Sequence, residues 1–355
     1  MKVGILTSSI AGNYGGILQN YALQQVLKSL GHKPITIDHY KSYSRIRWIM
    51  GRINTFLHRK NVNVPFPWYG RVGSKKVLDF AFHNINRTKK IKTVTSDVID
   101  DYSLEAIIVG SDQVWRKAYT NLDLGFLKFA EGYNIKRIAY AASIGSDQWE
   151  YPDSETTCCR ELILSFDAVS VREKSDVSLC QKHLGVTPQL VIDPTLLLKA
   201  THYNKFFKTS LLPEENYLFA YILDVDEFKC NFVNRMANNM RLKPIIMSAE
   251  NNAKNDDSIE KWLTMIAHSS FVITDSYHGT LFSINFNKDF ITINNVRRGN
   301  SRFKSILSQT GLMNRLVDSD ELYVRVMPGI DWGKVNAFID NERIKGISFI
   351  RTALL

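Results

Sequence analysis

The sequence predicts an α/β protein made of two Rossmann-like domains that face each other across a cleft. Three observations lead there. Short apolar runs alternate with helical stretches along most of the chain, the rhythm of parallel βαβ units. The rhythm breaks at residues 199–216, which splits the chain into two units of similar size. Nearly every apolar run also ends in a small or polar turn, and open parallel sheets bind ligands beyond such strand ends. The length of 355 residues is itself more than one core ordinarily holds. The expected units are 1–198 and 199–355, with the final helix able to cross back to the first.

Residues 3–7 read as the first strand. A polar, glycine-rich loop follows at 8–16, with Ser8, Ser9, Gly12, Asn13, Gly15 and Gly16. A helix at 17–30 puts Leu23, Val26, Leu27 and Leu30 on one face and stops at Gly31. A second strand at 34–38 completes a βαβ opening, whose helix N-terminus favours anions. The loop fits neither the dinucleotide fingerprint nor the P-loop spacing. Residues 41–92 break the pattern and read as a basic insertion. Its interleaved aromatics suit either contact with lipid headgroups or a solvated helical hairpin packed on the sheet, and the hairpin is the simpler reading.

The α/β pattern resumes with a strand at 104–109, then Gly110-Ser111-Asp112. Another strand at 136–142 ends in Ser143-Ile144-Gly145. A helix is expected at 155–164. The strand at 168–171 ends in Arg172-Glu173, the helix at 174–184 ends at Gly185, and a short strand at 189–192 stops at Asp193-Pro194. The second unit reads as strands at 217–223, 244–247, 271–274 and 290–293. Helices are expected at 228–240, 258–268, 280–286, 301–311 and 332–342. There is no internal repeat and no low-complexity tract. Two such units facing across a cleft make the glycosyltransferase B type of architecture.

Hydrophobic residues make up 45% of the chain and charged residues 23%, as in ordinary globular proteins. The net charge of +10 points to an anionic ligand or surface. The basic residues are dispersed and carry no recognition motif, which argues against nucleic acid. Cys158, Cys159, Cys180 and Cys230 form no CxxC pair, so a reducing, cytoplasmic setting fits better than a disulfide framework. No apolar run reaches the roughly 20 residues of a membrane span, and the start lacks a signal-peptide cleavage pattern. No HExxH motif, cysteine cluster or DxD pair suggests a metal, so arginines are expected to handle anions.

The polar strand ends supply the candidate site. Asp275-Ser276-Tyr277-His278-Gly279 follows the strand at 271–274, and His278 can exchange a proton near neutral pH. The alternative is a helix-capping turn. Around it stand Asn13, Tyr14, Gly15, Gly16, Ser111, Asp112, Ser143, Arg172, Glu173, Arg297 and Arg298.

Several of these blocks carry a resemblance. The opening Gly-Ile-Leu-Thr, Asn13-Tyr14-Gly15-Gly16-Ile17-Leu18-Gln19 and Tyr21-Ala22-Leu23 are similar to the start of the polysaccharide pyruvyl transferase family. Gly110-Ser111-Asp112-Gln113-Val114-Trp115, Ala142-Ser143-Ile144-Gly145 and Val169-Ser170-Val171-Arg172-Glu173 follow in the family's order. So do Asp193-Pro194-Thr195-Leu196-Leu197 and Thr274-Asp275-Ser276-Tyr277-His278-Gly279. The resemblance runs from residue 3 to about 290 and omits the insertion and the tail.

The resemblance implies transfer of pyruvate from phosphoenolpyruvate onto two hydroxyls of a sugar, giving a cyclic ketal, with no further cofactor. His278 suits the proton transfer and Arg172 the bidentate grip on carboxylate or phosphate. The loop at 8–16 can receive an anion or a sugar hydroxyl. Asp112 and Glu173 can take protons from hydroxyls or pair with arginines, and Asp275 and Tyr277 are further candidates. Some family members carry Arg-Leu-His where this chain has Ser276-Tyr277-His278. Arg297, Arg298 or the Tyr277 hydroxyl would have to replace the missing arginine. The acceptor is expected to be a glycan on a lipid carrier at the inner face of a membrane. The protein would then be cytoplasmic and at most peripheral, touching anionic lipid through Arg45, Arg47, Trp48, Ile49, Arg52 and Phe56. Competing readings are a nucleotide-sugar glycosyltransferase of the same architecture and a non-catalytic glycan-binding or assembly protein.

Overall fold

The computed structural model describes residues 1–10, 13–40, 74–248, 257–295, 298–323 and 327–355. The expectations for Gly12, Arg297 and the basic stretch at 41–73, lipid contacts included, lie outside the described residues.

The first domain contributes β1 (Lys2–Leu6), β2 (Lys33–Thr36), β3 (Ala106–Val109), β4 (Lys136–Ala142), β5 (Ala168–Val171) and β6 (Gln189–Leu190). They form one sheet in the order β2-β1-β3-β4-β5-β6, parallel throughout. The second contributes β7 (Tyr217–Ile222), β8 (Lys243–Ser248), β9 (Phe271–Thr274), β10 (Phe290–Ile293) and β11 (Leu316–Val317). Their order is β11-β10-β9-β7-β8, again parallel. Every residue of β3, β9 and β10 is buried. That is why their sequences are unbroken apolar or β-branched runs: a parallel sheet is covered on both faces.

The covering helices are α1 (Tyr14–Ser29), α2 (Lys75–Asn84), α3 (Asp97–Tyr102), α4 (Asp153–Ile163), α5 (Lys174–Leu184) and α6 (Pro194–Leu197). The second half adds α7 (Glu227–Met240), α8 (Ile259–His268), α9 (Tyr277–Asn285), α10 (Ser301–Gln309) and α11 (Trp332–Ala353). Side-chain caps explain several starts: Ser74, Asp226, Ser258 and Asp331 each accept from the backbone N–H three residues on. Both sheets reverse strand order at the same place, between β1 and β3 and between β7 and β9. Those are the positions where open α/β sheets gather ligands.

The two domains share an apolar core. Tyr14, Ile17 and Leu18 of α1 belong to one cluster with Tyr221, Trp262 and Phe282. Tyr14 stacks on Tyr221 at 6.0 Å and meets the edge of Trp262 at 5.8 Å. Its hydroxyl donates to the Asp257 carbonyl at 2.9 Å. Asn285 closes another side, its Nδ2 donating to the Leu198 carbonyl at 3.1 Å. An interface this apolar holds the sheets in a defined relation, unlike the polar interfaces of freely moving domains.

Four local expectations shift. Helix α1 starts at Tyr14 rather than 17, so Gly15 and Gly16 occupy its first turn. Helix α9 starts at Tyr277, and its cap is Ser276, whose Oγ accepts from the Gly279 amide at 3.3 Å. Residues 199–216 form short helical turns that pack, with the Tyr203 hydroxyl donating to the Thr195 carbonyl at 2.9 Å. Helix α11 continues through Gly346 to Ala353, past the expected end at 342. A Cβ at Gly346 would lie 2.6 Å from the Tyr140 hydroxyl, so glycine is needed where α11 presses on the first domain. There Arg343 Nε donates to the Leu196 carbonyl at 2.9 Å and Lys136 Nζ to the Ala353 carbonyl at 3.4 Å. The strand β11 was not expected, because two residues show no period.

Candidate active site

Asp193 follows β6 and caps α6. Its Oδ1 accepts from the Thr195 amide at 2.9 Å and the Thr195 hydroxyl at 2.7 Å. Oδ2 accepts from Gln19 Nε2 of α1 at 2.5 Å and from Arg172 Nη1, just after β5, at 2.6 Å. Arg172 Nε in turn donates to Glu173 Oε1 at 2.7 Å. The second domain adds His278 from the first turn of α9, its Nε2 standing 3.7 Å from Asp193 Oδ2. Asp193 thus lies between the expected proton carrier and the expected anion grip, which come from different domains. Exposure is 3% at Arg172, 0% at Glu173, 1% at Asp193 and 7% at His278, so these charges interact with little solvent screening.

Gly15 permits the approach of the domains. A Cβ there would fall 1.9 Å from His278 Nδ1, inside the ring's own contact radius. This accounts for a glycine in a helical turn, where glycine is otherwise unfavourable. The imidazole therefore rests Nδ1 on the α1 backbone and turns Nε2 toward Asp193.

Burial alone would raise the Asp193 carboxyl, but His278, Arg172 and the Thr195 amide outweigh it and hold the group well below the usual carboxylate range. For Arg172 burial opposes the charge, and Glu173, Tyr277 and Asp193 more than restore it. Burial pushes the Tyr277 phenol up, so it remains a neutral hydroxyl. Behind Glu173, Asp176 is pushed well up by burial and then by the Glu173 charge. The Tyr277 ring carries two guanidinium groups, with Arg172 Cζ at 4.6 Å and Arg302 Cζ at 5.3 Å from its centroid.

Several polar atoms here are buried and have no hydrogen-bond partner among the described residues: Arg172 Nη2, His278 Nε2, Gln19 Oε1, Ser143 Oγ and Glu173 Oε2. Each such atom costs free energy, and folded proteins keep few of them without a reason. A polar ligand would satisfy donors and acceptors together.

The other expected residues are distributed unevenly. Ser111 Oγ accepts from Gln19 Nε2 at 3.3 Å. Asp112 is partly exposed. Its Oδ1 accepts from the Gln113 amide at 2.9 Å, and its Oδ2 lies 3.8 Å from where a Cβ on Gly16 would stand. Asn13 precedes α1 and its amide faces Gly16. Glu173 is paired with Arg172, the pairing alternative raised for it. Tyr14 serves the interdomain core, and Ser276 the cap of α9.

Asp275 is held elsewhere, accepting from the Leu223 and Asp224 amides, Lys229 Nζ and Asn295 Nδ2 at 2.6, 3.3, 3.0 and 3.4 Å. Arg298 grips Asp224 with Nε and Nη2, at 2.8 and 2.7 Å, so its fork is occupied. Gln19, Asp193 and Arg302 were not singled out as site residues. Asp193 and Gln19 stood inside the motif blocks, whereas nothing in the sequence marks Arg302. Among the described residues no group of three or more His, Cys, Asp or Glu could hold a metal ion.

Two parallel-sheet domains with a polar junction at their strand ends define a glycosyltransferase B-type protein. Solved structures agree on the fold. A UDP-GlcNAc 2-epimerase from Methanocaldococcus jannaschii in complex with UDP-GlcNAc and UDP superposes with a TM-score of 0.50 at 12% identity, covering 99% of both chains. A second structure of a UDP-GlcNAc 2-epimerase from that organism gives 0.50 at 10% identity, over 96% of this chain and 92% of that one. A Listeria monocytogenes protein assigned as a UDP-N-acetylglucosamine 2-epimerase gives 0.52 at 10% identity, over 99% and 91%. At such identities the likeness is one of fold alone. No curated protein matches the sequence. The sequence pattern of the polysaccharide pyruvyl transferases, however, matches residues 13–296. The chain belongs to the polysaccharide pyruvyl transferase family.

Proposed function

We propose that the protein transfers the pyruvyl group of phosphoenolpyruvate onto two hydroxyls of a glycan, forming a cyclic ketal and releasing phosphate. The observation that carries this reading is the pair of buried groups that make no hydrogen bond, Arg172 Nη2 and His278 Nε2, on either side of the Asp193 carboxylate.

His278 Nε2 delivers a proton to C3 of the donor, turning the enol phosphate into an oxocarbenium-like C2. A first sugar hydroxyl adds to C2 and gives up its proton, with Asp112 the carboxylate available at the less enclosed side of the site. The C2–O bond to phosphate then breaks, a second hydroxyl takes its place, and the second proton leaves with phosphate. Arg172 holds the donor's carboxylate or phosphate through Nη2 while Asp193 and Glu173 fix the plane of its guanidinium. Asp193 and Gln19 position Arg172 rather than touch the donor. The enclosure of the site excludes water that would intercept the cation.

The arginines balance the donor's charge, so no metal is required, and activity should persist in EDTA. The glycan is placed on a lipid carrier at the inner membrane face, with the protein cytoplasmic and peripheral. Among the described residues no helix is long and apolar enough to cross a membrane. The direct test incubates the protein with phosphoenolpyruvate and candidate lipid-linked oligosaccharides. Glycan-dependent phosphate release, with the mass of a pyruvate ketal added to the glycan, is expected. Transfer from a nucleotide sugar without use of phosphoenolpyruvate would replace this reading by a glycosyltransferase.

A further inference from the structure

The arginine absent before Tyr277-His278 leaves the proposed donor site one cation short. Of the two arginines just past β10, Arg297 lies outside the described residues. Arg298 spends both fork nitrogens on Asp224. Arg302 stands in the first turn of α10, with its guanidinium 5.3 Å from the centre of the Tyr277 ring. The same ring carries Arg172 at 4.6 Å. The two guanidinium groups thus share one aromatic plate, although they come from different domains.

A backbone tie fixes this arrangement. The Lys174 amide, two residues past Arg172, donates to Ser305 Oγ on α10 at 3.1 Å. Arg302 and Ser305 are three apart on that helix and lie on the same face. The turn that presents Arg172 is therefore docked on the helix face that presents Arg302. Arg302 anchors one end of its fork by donating from Nη2 to the Arg298 carbonyl. Its Nε is buried with no partner, as is Arg172 Nη2.

Two like charges held together in an enclosed place repel, and they do so here: burial first, then the Arg172 charge, holds the Arg302 guanidinium below its ordinary value. Among the described residues no carboxylate forms an ion pair with Arg302; Glu173 and Asp112, whose charges act on it, are engaged with Arg172 and the Gln113 amide. An arrangement that keeps two buried N–H groups without acceptors beside mutually repelling charges gains stability when a multiply charged anion arrives.

We infer that Arg302 replaces the missing arginine, and that Arg172 and Arg302 form a clamp across the domain junction for a phosphate-bearing, multiply anionic ligand. Tyr277 is the plate on which both guanidinium groups are aligned. This rests on the proposed use of phosphoenolpyruvate and adds a residue and a geometry to it.

The test reads binding separately from transfer. Thermal unfolding of the full-length protein is followed with inorganic phosphate and with phosphoenolpyruvate, for wild type, Arg302→Gln, Arg302→Lys and Lys304→Gln. Lys304 is exposed on the same helix and controls for the loss of one charge. Both anions should raise the wild-type and Lys304→Gln midpoints, and Arg302→Gln should lose most of that rise while keeping its ligand-free midpoint. Arg302→Lys should recover only part of it, since an ammonium lacks the planar fork. In turnover, Arg302→Gln should raise the phosphoenolpyruvate KM at least tenfold with a smaller change in kcat. The inference is overturned if neither anion stabilises the wild type. It is also overturned if Arg302→Gln responds to both anions as the wild type does, or keeps its KM. A protein that binds both anions through Arg302 yet transfers no pyruvate would retain the clamp and remove the proposed reaction.

Discussion

Two charged clusters sit at strand ends in this molecule, and they differ in one respect. At the ends of β7, β9 and β10, Asp275, Asp224, Lys229, Asn295 and Arg298 satisfy one another. Asp275 takes two backbone amides and Lys229, and Asp224 takes both arms of Arg298. At the domain junction, Arg172, Glu173, Asp193, Gln19 and His278 are equally close but leave buried atoms without partners. The first cluster neutralises itself and ties three strands. The second retains capacity for something not in the chain. Charge at a strand end therefore does not mark a site; unspent hydrogen-bonding capacity in an enclosed place does.

The largest effect that sharpens this comparison is expected at His278. His278→Ala should lower turnover by roughly 10²–10⁴-fold, the range for a lost acid–base group, with phosphoenolpyruvate affinity little changed. Because Ser276 already caps α9, His278→Asn should fail as badly and should not rescue stability. A normally active His278→Asn enzyme would remove His278 from proton transfer and leave Tyr277 next in line. Arg172→Lys should also fail, mainly through weakened donor binding, because an ammonium cannot reproduce the contacts of the fork with both Glu173 and Asp193.

The opposite signature is expected in the self-satisfied cluster. Lys229 is 7% exposed, and its ammonium faces Asp275 at 3.0 Å. Asp275→Asn should lower stability by about 3 kcal/mol, the low end for breaking a buried pair, while kcat on folded protein changes little. Denaturant unfolding and steady-state kinetics on one preparation give both readings. A fully stable but inactive Asp275→Asn would mean that the two clusters had been assigned the wrong way round.

What was legible in the sequence follows from how each feature is encoded. Strands such as 271–274 and 290–293 were readable to the residue, because burial on both faces leaves an apolar or β-branched run and the following turn leaves polar residues. The starts of α1 and α9 were misplaced by three residues each. Gly15-Gly16 and Ser276-Tyr277-His278 look like turns locally, and only the packing of His278 on Gly15 reveals why a helix begins there. Arg172 stood out because it follows a strand directly, and His278 because it lies in the polar cluster just past one. Asp193 was read as a strand stop, since its bonds to Gln19 and Arg172 join residues far apart in the chain. Arg302 had no signal: it lies in the first turn of an amphipathic helix, where arginine is commonplace, and only the docking of Ser305 on the Lys174 amide gives it a role. The distinction between Asp275 and Asp193 was equally invisible, because it depends on which partners fold around each carboxylate.

The smallest expected effect tests the self-satisfied cluster at its exposed edge. The side chains of Asp224 and Arg298 are 38% and 36% exposed. Hydrogen bonds from Arg298 foremost, then Asn295, overcome burial and depress the Asp224 carboxyl well below its usual range. A carboxylate depressed in the folded state adds stability above its unfolded value, near 3.9, and loses it as pH falls through the folded value. Solvent screening limits the contribution to about 0.2–1 kcal/mol. Asp224→Asn should therefore lower the midpoint slightly at pH 7 and the gap to wild type should narrow progressively below about pH 4. A gap that stays constant down to pH 2 would show that Asp224 stabilises the fold through its shape and hydrogen bonds, with no share from its charge. The comparison would then rest on the junction cluster alone, where Asp193 is shielded from solvent and its charge is expected to matter more.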